Sequence, residues 1–207
     1  AKKKDLQDRL DVVKKTIADK ELAKAIETAN KAIERATKSL SDSSIKAVER
    51  AIEDVTDETV KAEFEKKLAE LKQGAEAKKV SDSIEDAQTA IERLAKSLTD
   101  SNVKTAEREV ADVLDETKKA EFEKQLAELK QALADKKVAD SIVDAEKAIE
   151  RLTKTLSDYN FKAAEKEVAS VLDEAKKAEF EKQLVELEKA LAEKKVADSI
   201  AAAEKSV

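Results

Sequence analysis

The chain has 207 residues and carries 43% charged and 2% aromatic residues with a net charge of −6; it contains no Pro, Cys, His, Met or Trp and a single Gly. Without Cys or His there are no disulfides, no thiol chemistry and none of the usual zinc ligands, and one Gly cannot build a Gly-rich phosphate loop. Interspersed charges with no basic patch and almost no stacking aromatics exclude nucleic acid as a partner, and no apolar run approaches the roughly 18 residues of a membrane span.

What remains is rich in Ala, Glu, Lys and Leu, the composition of long helices. Disorder is the competing reading of so much charge. Leu, Ile, Val and Phe make up 48 of 207 residues, only just above the level of about 20% below which disorder is expected. Periodicity therefore decides.

Taken in chain order, Leu6, Leu10, Val13 and Ile17 form the first helical stripe, and it has no bundle partners within the chain. A second stripe begins at Ile26. It ends at the polar turn Ser41-Asp42-Ser43-Ser44, whose side-chain oxygens suit a helix N-cap. Ile45, Val48, Ile52 and Val55 then mark a short helix. Asp57-Glu58 opens the next helix, since Asp caps backbone N–H groups and acidic residues favour the positive end of the helix dipole. Its stripe runs through Phe64, Leu68, Leu71 and Ala75. The neighbouring Gly74 stands where later units have Ala132 and Ala190; it costs about 1 kcal/mol of helix propensity and is either drift or a flexible point.

The pattern then returns. After the turn Thr99-Asp100-Ser101-Asn102, a short helix carries Val103, Ala106, Val110, Val113 and Leu114 on its buried stripe. From Asp115 a long stretch follows with no breaker. Phe122, Leu126, Leu129 and Leu133 form one stripe, and Ile142, Ala145, Ile149, Leu152 and Leu156 form another. The spacing predicts one helix over roughly 116–156, about 60 Å long. The nine residues from Leu133 to Ile142 amount to about half a turn net, so its two halves bury opposite faces. A two-stranded coiled coil would keep one seam. A third cycle has the turn Ser157-Asp158-Tyr159-Asn160, a stripe of Phe161, Ala164, Val168, Val171 and Leu172, and a final helix from Asp173-Glu174.

These cycles are an internal repeat of fixed period. Ala-Ile-Glu-Arg begins at Ala32, Ala90 and Ala148, and Phe64, Phe122 and Phe180 keep the same interval. Segments 82–139 and 140–197 are identical at 42 of 58 positions. The expected organisation is a partial repeat at 1–23, repeats at 24–81, 82–139 and 140–197, and the start of a further repeat at 198–207, as in a piece of a longer array. The expected fold is all-α: tandem three-helix bundles joined by long continuous helices, wired like a spectrin rod. Glu34/Lys38, Glu92/Lys96 and Glu150/Lys154 recur as favourable i,i+4 pairs.

No residue stands out as catalytic, cofactor-binding or metal-ligating. Carboxylates abound, but none is singled out by an apolar cleft. Asp100 to Asn102 offers at most two oxygen ligands and no Gly, short of a calcium loop. Tyr159, the one Tyr and in a turn, is the single candidate for a protein contact. Phe161 lies on the buried stripe. Self-association through Leu6, Leu10, Val13 and Ile17 is the alternative to a stripe left open by truncation. No signal peptide or lipidation motif is present.

Ala145-Glu146-Lys147-Ala148-Ile149, the Leu156-Ser157-Asp158 turn, Val171-Leu172-Asp173-Glu174 and the Leu184, Leu187, Leu191 stripe resemble tandem three-helix repeats of cell-wall-attached and secreted surface proteins of Gram-positive bacteria. The resemblance implies an extracellular, cell-surface location and a non-catalytic stalk that projects an adhesive (adhesin) or enzymatic domain. It also implies, as the alternative, a module that binds a host protein or a cell-wall polymer. An intracellular spectrin-like scaffold and a designed repeat protein are further alternatives.

Each unit of this wiring advances by about 39 Å, so the whole chain is expected to measure on the order of 150 Å. Small-angle scattering should give a maximum dimension near that length; a compact globule would overturn the architecture.

Overall fold

The structure, a computed structural model, describes residues 2–205. Among the described residues there are seven helices and no strand: α1 (Lys2–Ser39), α2 (Asp42–Glu53), α3 (Glu58–Lys96), α4 (Asp100–Ala111), α5 (Glu116–Lys154), α6 (Asp158–Ala169) and α7 (Glu174–Lys205). The chain is all-α. The starts of α2, α4 and α6 are evenly spaced by one repeat, as are those of α3, α5 and α7. The long helix expected over 116–156 is α5, which stops at Lys154.

The helix boundaries follow from side-chain chemistry. Ser41, Thr99 and Ser157 each accept, on the side-chain oxygen, the backbone N–H three residues on, all at 3.3 Å. These hydroxyls satisfy N–H groups that a helix start leaves without partners. Asn102 and Asn160 brace the same turns, each donating its side-chain amide to a carbonyl five residues back at 2.8 Å. The next helix begins each time on an Asp. Asp57 Oδ1 accepts from Thr59 and Val60 at 3.0 Å, and Asp115 and Asp173 accept from Lys118 and Lys176 at 2.8 Å.

The chain forms two compact units, residues 1–90 with 108–122 and residues 91–107 with 123–207. In the first, α1, α2 and the first half of α3 close on one core. Ala29 and Ala36 come from α1, Val48, Ala51 and Ile52 from α2, Val55 from the turn, and Phe64 and Leu71 from α3. In the second, α5, α6 and α7 do the same through Ala145, Ala148, Ile149, Leu152, Ala164, Val168, Phe180 and Leu184, with Val171 from the turn. Alanines at the contacts let backbones approach closely, and the larger side chains fill the centre. Phe161 is half-buried against this core. Within the second unit, α5 carries both expected stripes: Leu126 and Leu133 are buried on one face, and Ala145, Ile149 and Leu152 on another.

Leu114 and Leu172 correct the sequence reading. Neither lies on a buried stripe; each is 56% exposed. The short helices end at Ala111 and Ala169, so helical phase no longer governs these positions. Their backbones, not their side chains, hold the turn. Leu114 N–H donates to Ser83 Oγ at 3.3 Å and Leu172 N–H to Ser141 Oγ at 3.2 Å. Both serines in turn donate to the carbonyl three residues back.

Leu152 is fully buried in the second unit's core. Leu152→Ala should remove about 3 kcal/mol, by lost transfer energy and the cavity left behind. Urea unfolding followed by circular dichroism would check this; a loss under about 1 kcal/mol would mean that the core is not packed around this side chain.

Candidate interaction surface

The capped turns dictate where polar side chains project. Because α6 starts at Asp158, the aromatic ring at Tyr159 sits in its first turn, where no helix covers it; Tyr159 is 82% exposed. It borders a groove of about 210 Å³ between α5 and α6, floored by Ala148 and Ala163 and edged by Asp144, Arg151 and Glu167. An equivalent groove of about 310 Å³ lies in the first unit between α1 and α2, floored by Ala32, Ala47 and Ala51 and edged by Arg35. Arg35 and Arg151 are two repeats apart, so the groove belongs to the repeat. Tyr159 does not, since Ser43 takes its place in the first unit.

The charged surface is organised by register. Asp42, Asp100 and Asp158, at the start of each short helix, pair with Lys79, Lys137 and Lys195 at 3.0, 2.7 and 2.5 Å. These straps tie the start of a short helix to the long helix that follows it. They also account for Asp100, a carboxylate in a polar turn that on its own would suggest a cation ligand. Among the described residues, no group of three or more His, Cys, Asp or Glu side chains is placed to hold a metal ion. Along single helices, the Lys154 hydrogen bond, aided by its charge, holds the Glu150 carboxyl below its usual range, and Lys31 and Lys38 act likewise on Glu27 and Glu34.

Leu6, Leu10, Val13 and Ile17 are exposed along α1, so their stripe is uncovered in the chain. No described helix is long and apolar enough to cross a membrane.

A second set of ion pairs was not anticipated from helical periodicity. Glu49 pairs with Lys72 at 2.7 Å and Glu107 with Lys130 at 2.8 Å. The signal lay in the repeat: a Glu and a Lys at the same separation each time, on faces that fold against each other. At the third occurrence the positions hold Glu165 and Glu188, and the cation is gone. Glu188→Lys should restore the pair. Because both partners are solvent-exposed in the two existing examples, the expected gain is no more than about 1 kcal/mol, and it should fade in high salt. A urea midpoint that falls, or a gain indifferent to salt, would contradict the pairing.

Compared with known proteins, the chain matches no family model, no curated protein and no solved structure.

Proposed function

We propose that the chain is an extended helical spacer or stalk of a bacterial cell-surface protein, non-catalytic, carrying other domains away from the cell. One observation bears most on this reading. Segment 140–197 differs from 82–139 at sixteen positions, and in 140–197 every one of them is exposed or half-buried. Between these two segments the buried residues are kept, save that buried Val103 becomes Phe161, and the surface drifts. A spacer needs each unit to fold and to join the next, and it needs little of its surface beyond charge. A repeated binding module needs the same surface each time. Here two groove positions have changed, Ser101 to Tyr159 and Thr105 to Ala163. The resemblance to Gram-positive surface repeats points the same way and supplies the extracellular location.

The second reading is a binding module for a host protein or cell-wall polymer. What favours it is Tyr159, a highly exposed aromatic beside a groove, because aromatics of this kind anchor interfaces. The two readings separate in one assay. The purified chain is applied to serum proteins and to purified cell walls. The spacer reading expects no saturable binding at micromolar concentration. Saturable binding that is lost in Tyr159→Ser, with the helix content intact, would replace it with the binding reading.

A further inference from the structure

The two cores that the units build from three helices are not packed alike at the end where the short helix begins. In the second unit that end holds Leu152 from α5, Leu191 from α7 and Phe161 from α6, beside Ala190. At the corresponding places the first unit has Ala36, Ala75, Ile45 and Gly74. Every exchange runs toward the smaller side chain. At the other end the trend reverses, since Leu22 and Val60 pack on the first core where Val138 and Lys176 stand in the second unit. The deficit is therefore local to the turn.

The backbone records how the gap is covered. Leu40, in the turn between α1 and α2, has φ of 46°, and among the described residues no other non-glycine residue has a positive φ. For a branched side chain this left-handed conformation is strained. Leu40 is held there because its side chain reaches the core and the face of α3 at Gly74. A β-carbon on Gly74 would sit 3.5 and 3.8 Å from the two Leu40 methyl carbons, an ordinary contact. Its counterpart Leu156 packs on its core without such strain.

We propose that the α1–α2 turn is a local opening point, where the start of α2 parts from α1 and α3 while the opposite end of that core stays closed. Small side chains remove burial there, Gly74 weakens the helix beneath, and the strain at Leu40 is released on opening. The Asp42–Lys79 strap and the Ser39–Ser44 hydroxyl bond across the turn are both exposed and too weak to hold it. The inference does not rest on the spacer reading, because it concerns the opening of the fold and not what the array carries or binds.

Hydrogen exchange on the full chain tests it. Amides 45–48 of α2 should exchange at least about tenfold faster than amides 161–164 of α6, the factor that a free-energy difference of about 1.4 kcal/mol gives. Gly74→Ala, whose new methyl fits against Leu40, should slow amides 45–48 without altering 161–164. Leu191→Ala should do the reverse, speeding 161–164 alone. Equal protection of the two segments in the parent chain, or no local response to either substitution, would overturn the proposal.

Discussion

The constraint on which the structure depends is the phase of the apolar stripe in an unbroken helix. From Leu133 to Ile142 the stripe moves to the opposite side of α5 while the backbone continues without a breaker. A helix with one stripe is satisfied by one set of neighbours. A helix whose stripe changes sides must be covered twice, on two faces and at two heights. The short helices follow from this requirement. At 12 residues each, about 18 Å, they are shorter than the half-helices they cover, and they supply the third wall that lets a narrow apolar face close.

Size sets the next level. A single three-helix bundle of about 58 residues buries a modest share of its surface and is marginal alone. The cores compensate through fit: Ala29, Ala145 and Ala164 are fully buried and bring helix axes close, so that Val48, Leu152 and Val168 fill what remains. The surface contributes less per residue. Its ion pairs are solvent-exposed, and such pairs are weak singly. Their recurrence at fixed spacing has a different use, because each strap fixes how far along a long helix its short helix sits.

Much of this was legible in the sequence. Helical periodicity marked the stripes, the change of face and the short helices, and the turn residues marked the caps: Ser41, Thr99 and Ser157 cap short helices, and Asp57, Asp115 and Asp173 cap long ones. These are local properties, settled within a few residues. What escaped depends on the third dimension. Leu114 and Leu172 fit the stripe on paper, but the helix ends before them. Ser83 and Ser141 look like surface serines until the loop 31 residues on places an N–H against them. Leu40 adopts a positive φ where its side chain meets Gly74 and packs on the core that holds Ala36, and no local rule reads a juxtaposition of residues so far apart in the chain. For the interaction surface, the sequence singled out Tyr159 and not the groove beside it, because a groove is a property of two helices packed together.

Near-identical repeats raise a problem of register that the straps, alike in every repeat, do not solve and the turns do. A short helix could in principle dock on the equivalent long helix one repeat further on. Loop-closure entropy discriminates poorly: pairing at 95 residues in place of 37 costs less than about 1 kcal/mol more. Rigidity discriminates well. Once α5 forms, its 39 residues span about 58 Å, so equivalent positions on successive helices cannot be reached through turns of two to four residues. The capped turns bring each short helix back along the helix it has just left, and the Asp–Lys straps close on the next one. The residues that end the helices, more than those that fill the cores, thus select one pairing among several that the cores alone would accept.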